Sequence, residues 1–262
     1  MSYEQDWNDL AALDPFWAIM SDARHKHGGW DVDAFFATGE LEVAELMAQA
    51  ADLGGPGNFR TALDFGCGVG RTTRAFAKHF DHCTGLDVSL EMVKLARELN
   101  SAVPGCDFVH STETNLSRFD AESFDFIYCN IVLQHLSDRQ VIRRYLSEFI
   151  RVLTAGGLLV FRLPTTLPLL VRLQPRRTLY GLLRRAGMSP RFLYFRLGLH
   201  PISMTAMAEA EVRASLGAAG AETTTVQPGM DPNFDFASTT YFVTRSPRAN
   251  DAARLRTDAV DG

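Results

Sequence analysis

The sequence predicts an α/β fold, namely a doubly wound, mostly parallel sheet of seven strands whose last strand is antiparallel. A helical cap precedes the sheet, and an insertion follows strand five. Two observations predict this class. From about residue 60 onward, short apolar runs alternate with amphipathic ones, an order typical of a parallel sheet with helices on both faces. A dense glycine turn also joins the first apolar run to a helical pattern, as in doubly wound folds.

Seven apolar runs, often bounded by glycine, proline or charged residues, are predicted to be the strands. They are Thr61–Cys67, His82–Val88, Cys106–Ser111, Phe124–Leu133, Gly157–Pro164, Ala221–Gln227 and Ser238–Arg245.

Helical spacing of apolar residues predicts the helices between these strands. Ser89 is expected to cap one of them, and Ser137 with Gln140 has the capping-box pattern that begins another. The glycine-containing stretch Ala155–Gly157 is expected to end that second helix. The predicted helices are Gly39–Leu53, Arg71–Phe80, Ser89–Leu99, Ser137–Leu153 and one near Ser203–Gly217.

The length of 262 residues fits one large domain with an appended cap. We expect a helical cap or lid at 1–54, a main domain at 55–246, and a polar, disordered tail at 247–262. Residues 165–202 interrupt the sheet as an insertion, and an insertion in this place is expected to lie on the substrate side of a site at the sheet edge.

The composition is that of a globular protein, with 46 % hydrophobic and 22 % charged residues. No stretch approaches the roughly 20 continuous apolar residues of a membrane span, and the first residues do not resemble a secretory signal. The four cysteines are widely spaced, which predicts reduced thiols, no metal site and a cytoplasmic location. They are Cys67, Cys83, Cys106 and Cys129.

Charge is distributed unevenly along the chain. The net charge of −5 argues against a general nucleic-acid binder. Between Phe149 and Ala208 there are nine arginines and no acidic residue, so this segment carries +9 and the rest of the chain −14. Three explanations remain open: recognition of an anionic or amphiphilic small molecule, an interface with a second copy, or a solvated surface.

The glycine turn lies in the stretch ALDFGCGVGRTT, Ala62–Thr73. A dinucleotide fingerprint would need glycine at position 71, where Arg71 stands, and no P-loop pattern follows. Asp87 ends the next strand, 19 residues beyond Gly68, where an acid can accept hydrogen bonds from a ribose diol. Asp64, at the mouth of the turn, would repel a pyrophosphate and suits a cationic group. Together these features favour a nucleoside that carries a positive, amino-acid-like end.

These residues resemble the class I, Rossmann-like S-adenosylmethionine-dependent methyltransferases, over roughly residues 58–165. LDFGCGVGRTT is similar to that family's first motif, and GLDVSLEMVKLAR is similar to its ribose-acid motif with the following helix. FDFIYCNIVLQHLSD resembles its fourth-strand motif, and RVLTAGGLLVF resembles the turn before its fifth strand. HSTET stands where the family usually has an aspartate for the adenine amino group.

The resemblance implies S-adenosyl-L-methionine as the cofactor and assigns its contacts. Asp64 would lie near the ammonium or sulfonium end, or would instead cap the following helical turn. Asp87 would bind the ribose hydroxyls, and Met92 would contact adenine or belong to the core. The implied cofactor-binding residues are Asp64, Gly66, Cys67, Gly68, Gly70, Asp87, Val88, Met92, Thr112, Glu113, Asn130 and Ile131.

The resemblance implies methyl transfer to a small molecule, and we expect the acceptor to be a hydroxyl of a natural product, sugar or lipid-linked metabolite. His135 is the candidate general base, or it only fixes the start of the next helix. Transfer to nitrogen or carbon, with or without coupled cyclisation, and a non-catalytic cofactor-binding role remain alternatives. Candidate acceptor contacts are His25, His27, Trp30, Arg184, Arg185 and His200.

Overall fold

The computed structural model of the protein describes residues 3–230 and 236–245, and a seven-stranded sheet runs through them. The strands are β1 (Thr61–Phe65), β2 (His82–Asp87), β3 (Cys106–His110), β4 (Phe124–Cys129), β5 (Leu153–Pro164), β6 (Ala221–Met230) and β7 (Ala237–Arg245). Their order is β3-β2-β1-β4-β5-β7-β6. β1 to β5 pair in parallel, whereas β7 is antiparallel to both β5 and β6. The predicted fold class is therefore confirmed.

The helices of the described residues fall into four groups along the chain. Before the sheet come α1 (Tyr3–Leu13), α2 (Pro15–Ile19) and α3 (Val32–Asp52). Between the parallel strands lie α4 (Thr73–Phe76), α5 (Leu90–Leu99) and α6 (Arg139–Val152). The insertion after β5 forms α7 (Leu169–Leu173), α8 (Pro175–Arg185) and α9 (Pro190–Leu197), and α10 (Glu209–Ala218) precedes β6. Short 3₁₀ turns cover Ala23–His25 and Leu133–His135.

The central strands are apolar throughout because both faces of the sheet are covered. Successive residues of β1 alternate between the two cores, with Ala62 packed on one side and Leu63 on the other. On the first side Ala62 lies in a cluster with Val43 of α3 and Phe76 of α4. On the second side Leu63 lies in a cluster with residues of α6 and α10, such as Phe149.

The start of α5 follows its predicted cap, because the Ser89 hydroxyl accepts a hydrogen bond from the backbone N–H of Met92 at 3.2 Å. The predicted start of α6 is wrong by one residue. Asp138, and not Ser137, is the cap, and its carboxylate accepts from the Gln140 N–H at 2.8 Å. Acceptors at both positions satisfy the capping pattern, so the sequence alone does not choose between them.

The predicted glycine stop of α6 is also wrong. The chain turns extended at Leu153, which already pairs with β4, so β5 begins there and contains Ala155–Gly157. Pairing with a neighbouring strand, and not a glycine cap, ends this helix.

Other predicted boundaries are displaced. α3 begins earlier than predicted, where the Asp31 carboxylate accepts from the Ala34 N–H. β4 ends at Cys129, before Ile131, whose positive φ of 58° breaks the strand. The predicted helix Arg71–Phe80 contains the shorter α4. The helix predicted near Ser203–Gly217 is α10, which begins later, at Glu209, and ends at Ala218.

Three further predictions concern the tail, membrane spans and the domain boundaries. The predicted tail at 247–262 lies outside the described residues. Within the described ranges, no helix combines the length and the apolar character that crossing a membrane requires. The boundaries of the cap at 1–54 and of the main domain stay a prediction.

Asp125 connects three strands at the end of the sheet opposite to the glycine turn. Its side chain is 1 % exposed. One carboxylate oxygen accepts from the backbone N–H groups of Arg60 and Thr61 at 3.1 and 3.2 Å. The other accepts from the Thr154 hydroxyl at 3.2 Å, so β1, β4 and β5 depend on this one carboxylate.

We expect Asp125→Ala to lower the free energy of unfolding by about 3 kcal/mol, because it removes a buried charged acceptor shared by two part-buried N–H donors and the Thr154 hydroxyl. Urea denaturation at neutral pH measures the change. Asp52→Ala, at an exposed position of α3, is the matched control and should change stability little. Equal stability of the two variants would contradict this role of Asp125.

Candidate active site

A cavity of about 370 Å³ lies where the carboxyl ends of β1, β2 and β4 meet. In open α/β sheets this edge is the place where ligands bind. Residues singled out from the sequence line much of it: Asp64, Gly66, Cys67, Gly68, Asp87, Val88, Met92, Thr112, Glu113, Asn130, Ile131 and His135.

The turn after β1 requires glycine at the cavity wall. Gly66 and Gly68 have φ values of 80° and 53°, in the left-handed region that favours glycine. A Cβ on Gly66 would lie 2.2 Å from Val132, and one on Gly68 would lie 2.5 Å from Ile19. The glycines therefore let the loop after β4 and the α2 segment approach the turn.

Asp87 joins the glycine turn to the start of α5. One of its carboxylate oxygens accepts from the Gly68 N–H at 2.9 Å, and the other accepts from the Ser89 N–H at 2.8 Å. Burial raises the pKa of Asp87, and the backbone donors oppose this effect. A carboxylate oxygen can accept more than one hydrogen bond, so Asp87 retains acceptor capacity toward the cavity.

Asp64 lies at the cavity wall and also contacts the start of α4, so its position allows either of the two roles that the sequence left open. It lines the cavity, and one oxygen accepts from the hydroxyls of Thr72 and Thr73 at 2.8 and 2.6 Å, where α4 begins. Burial raises the pKa of Asp64 to about 6, although the two threonine hydroxyls lower it.

Glu42 of α3 enters the cavity wall and holds a polar network that sequence analysis missed. Its carboxylate accepts from Arg71 Nη2 at 2.6 Å, from the Tyr128 hydroxyl at 2.6 Å and from Asn130 Nδ2 at 3.0 Å. Burial raises the pKa of Glu42, but the Arg71 charge and the hydrogen bonds outweigh burial, and the net effect lowers it. The network connects the cap to β4 and to the glycine turn.

Helix α1 covers the cavity, with Tyr3, Glu4 and Trp7 in its wall. The Asn8 side-chain oxygen accepts from the Ser89 hydroxyl at 2.7 Å, which attaches α1 to the start of α5. Next to the wall, Glu4 lies 3.3 Å from His110 Nε2. The cap thus supplies the side of the cavity that faces away from the sheet.

His135 lies under α1, with its ring 5.3 Å from that of Trp7 in an edge-on arrangement. Its Nδ1 is 2.8 Å from the carbonyl oxygen of Ser203. A carbonyl oxygen only accepts, so Nδ1 carries the hydrogen of the neutral ring and Nε2 is the basic nitrogen. The Ser203 hydroxyl in turn donates to the His135 carbonyl oxygen, so both ends of this residue are held.

Some residues predicted for the site lie outside the cavity wall. Gly70 lies against Phe108 and Asn100, behind the turn. Within the cap, His25 stacks on Trp30, and His200 lies edge-on to Trp17. The predicted acceptor contacts that do not line the cavity are His25, His27, Trp30, Arg184, Arg185 and His200. Their part in acceptor binding stays a prediction.

Three of these residues, His27, Arg184 and His200, lie at the contact between the cap and the insertion. Buried Asp14 accepts from the N–H groups of His27 and Gly28 and from the Tyr194 hydroxyl at 2.9 Å. Burial and nearby cations lower the pKa of His200 to about 4, so it stays neutral near pH 7. Arg184 lies 3.5 Å from Asp9 of α1.

The residues that sequence analysis missed are Glu42, Tyr3 and Trp7. Acidic and aromatic residues are common on amphipathic helices, so nothing in the local pattern separates these from surface positions. Arg71 did carry a signal, because a charged side chain inside a tight turn requires a partner if the turn is buried. That partner is Glu42, which lies 29 positions away in the sequence, so the local pattern does not identify it.

Comparison with known proteins agrees with this geometry. Residues 63–161 match a family model described as a methyltransferase domain. A 2-methyl-6-phytyl-1,4-hydroquinone methyltransferase of a Synechocystis strain is 30 % identical over 160 residues, which are 61 % of this chain and 48 % of that protein. A phthiotriol/phenolphthiotriol dimycocerosates methyltransferase of Mycobacterium tuberculosis is 36 % identical over 117 residues, 45 % of this chain and 41 % of that protein. The chain thus spans less than half the length of these two relatives.

The fold is also similar to that of a solved structure. The N-methyltransferase NodS of Bradyrhizobium japonicum, solved in complex with S-adenosyl-L-homocysteine, superimposes with a TM-score of 0.59. The similarity covers 92 % of this chain and 97 % of NodS at 18 % identity.

The sheet order, the glycine turn and the acid that ends β2 define a candidate ligand site at the carboxyl edge of a doubly wound sheet. Residues 63–161 match a methyltransferase domain, and the fold is that of the class I, Rossmann-like methyltransferases.

The pKa of Asp64 predicts a pH dependence of stability. Because its pKa rises from 3.8 to about 6 on folding, the folded chain binds the proton more tightly. Asp64 therefore costs stability progressively as the pH rises between these values, by about 3 kcal/mol in full. We therefore compare the free energy of unfolding of Asp64→Asn with that of the unsubstituted protein at each pH. The difference should favour the variant more at pH 7 than at pH 4.

Urea denaturation at the two pH values measures this difference. Asp107→Asn, on the exposed side of β3, is the control and should show no such change. A stability difference between Asp64→Asn and the unsubstituted protein that does not depend on pH would contradict the prediction.

Proposed function

We propose that the whole chain transfers a methyl group from S-adenosyl-L-methionine to a hydroxyl of a small, amphiphilic acceptor. The observation that carries the proposal is a single cavity whose wall combines two unlike groups of residues. One group is Asp87 with the glycine turn, and the other is His135 with the aromatic side chains of α1.

The group around Asp87 suits the adenosyl part of this cofactor. Asp87 is held by two backbone donors and can accept further hydrogen bonds from a ribose diol. Val88 and Met92 offer apolar surface to a base. Thr112 and Glu113 lie in the same wall with side-chain oxygens that can accept from an exocyclic amine.

A buried donor of Arg71 near Glu42 supports a binding place for the methionine part of the cofactor. In the described structure, Arg71 Nε is buried without a hydrogen-bond partner, although Nη2 of the same side chain is bound to Glu42. An unmet guanidinium donor suits a carboxylate. The carboxylates of Asp64 and Glu42 line the same wall and suit an ammonium group. These residues therefore fit both charges of an amino-acid end.

When bound, S-adenosylmethionine supplies a methyl group already activated by a positively charged sulfur. The chain's own contribution is then to align the acceptor, to exclude water and to remove the acceptor proton. His135 has the tautomer that this last step needs, because the Ser203 carbonyl accepts from Nδ1 and Nε2 is then the basic nitrogen. Helix α1 would exclude water, since it covers the cavity.

We assign the acceptor to the part of the cavity next to His135, where the Trp7 ring lies against the His135 ring. Tyr145, Val141 and Ile202 add apolar surface to the same cavity wall. Arg71 is the only lysine or arginine among the lining residues of the described chain, and Glu42 pairs with it. A neutral, largely apolar acceptor therefore fits better than an anion. The two relatives described above are named for a phytyl hydroquinone and for phthiotriol dimycocerosates, which supports an amphiphilic acceptor with a hydroxyl.

Transfer to an amine is the second candidate. Glu4, Glu113 and Asp138 also line the cavity, and three carboxylates favour a cationic acceptor. An amine must lose its proton before it reacts, so a base near the acceptor would serve this reaction too.

Asp87→Asn should weaken binding of S-adenosyl-L-homocysteine by about 10- to 100-fold, because a charged acceptor is lost from a buried site. Isothermal titration calorimetry measures the dissociation constant. Asp107→Asn is the control. Unchanged affinity, with folding verified by circular dichroism, would remove Asp87 from the proposed cofactor site.

His135→Asn separates the two roles of His135. The Asn amide can still donate to the Ser203 carbonyl, but it has no basic nitrogen. The assay uses labelled S-adenosylmethionine and two test acceptors with the same apolar body, one carrying a phenol and the other an amine. The unsubstituted protein should methylate the phenol. The substitution should lower kcat by about 100-fold or more. The affinity for the product S-adenosyl-L-homocysteine should stay unchanged.

A variant with unchanged kcat would leave His135 only its structural role. Turnover confined to the amine acceptor would favour the second candidate function. Tight cofactor binding without turnover on any acceptor would favour a non-catalytic role.

A further inference from the structure

The insertion carries an exposed surface that neither the cavity nor the cap uses. We define the insertion face as the exposed side chains of α7, α8 and α9. Most of the large apolar side chains that are exposed in the described chain belong to it. Leu169, Leu170 and Leu173 of α7 are 69, 74 and 63 % exposed, and Leu179 and Leu182 of α8 are 46 and 56 % exposed.

Helix α8 has its apolar and basic residues arranged in a regular way. Tyr180 is buried and packs with Leu193 of α9, which fixes the inner side of the helix. Leu179 and Leu182 lie on the outer side, and Arg176 and Arg185 each lie three residues from one of these leucines. Residues three apart lie next to each other on a helix. The outer side therefore carries an apolar strip that ends at Arg185. Arg176, at the other end of the row, is exposed but lies next to the inner contact, where its charge acts on His200 and Lys26.

The arginines of the insertion divide into two sets. Arg177 donates to the Pro201 carbonyl at 3.1 Å, and Arg184 faces Asp9 of α1, so these two point inward. The exposed set consists of Arg172, Arg176, Arg185, Arg191 and Arg196. In the described chain no carboxylate lies within ion-pair distance of any of these five.

Charge decides among the possible occupants of this face. Residues 165–202 contain seven arginines and no acidic residue. A second copy of the chain in a two-fold contact would bring arginines against arginines. An anionic surface complements the arginines, and exposed leucines flanked by arginines suit the boundary between lipid headgroups and acyl chains.

We propose that the insertion face docks on an anionic lipid bilayer. The leucines of α7 and α8 enter the headgroup boundary, and the exposed arginines bind the acidic headgroups. The protein attaches to the surface without spanning it. Ile202 follows α9 and lines the cavity, so docking gives access to an acceptor dissolved in the membrane. This consequence rests on the proposed function, whereas the docking itself does not.

Flotation with vesicles tests the docking. The protein should bind vesicles of phosphatidylcholine with phosphatidylglycerol, and should bind pure phosphatidylcholine at least about tenfold more weakly. Raising the salt concentration should release it. No binding to the anionic vesicles would overturn the proposal, and equal binding to both vesicles would overturn the role of the arginines.

Substitutions distinguish the two parts of the face. Leu179→Gln with Leu182→Gln, and Arg176→Gln with Arg185→Gln, should each reduce the partition constant by about tenfold or more. Arg176→Lys with Arg185→Lys should retain binding, because the charge is kept. Leu41→Gln, at a leucine of α3 that is 67 % exposed, is the matched control and should bind normally.

Light scattering without vesicles tests the alternative occupant. A dimer that the leucine substitutions dissociate, together with absent vesicle binding, would assign the face to a second copy and overturn the proposal. Because binding is measured without methyl transfer, its result is independent of the proposed reaction.

Discussion

The hydrogen bonds that Asp87 accepts are the interaction on which the rest of the site depends. One carboxylate accepts from the Gly68 N–H in the glycine turn and from the Ser89 N–H at the start of α5. It therefore fixes two loops that follow neighbouring strands. Burial of this carboxylate is unfavourable by itself, and two backbone donors offset that cost while leaving acceptor capacity toward the cavity.

The cap is built onto this same point. Asn8 of α1 accepts from the Ser89 hydroxyl, and Glu42 of α3 binds Arg71 of the glycine turn. The segment before the sheet thus contributes a wall to the site, and the domain that carries the motifs would by itself leave the cavity open on that side. A covered cavity has a lower effective dielectric constant, which strengthens every charge interaction inside it.

The sequence predicted the order of the elements well and their ends poorly. Strand and helix types follow from hydrophobic period, which is local, and Ser89 caps α5 as expected. The start and the end of α6 depend on competition between neighbouring groups. Asp138 wins over Ser137 as the cap, and pairing of Leu153 with β4 decides the end. Such competition is settled by tertiary contacts.

The sequence by itself determined the fold class, the glycine turn and the acid that ends β2, because each depends on residues close together in the chain. The tertiary structure alone decided what surrounds them. It paired Arg71 with Glu42, placed α1 over His135, and left the insertion's leucines and five of its seven arginines exposed outside the cavity. These contacts join residues distant in sequence, and no local pattern records which distant side chain a buried charge or an exposed helix will meet.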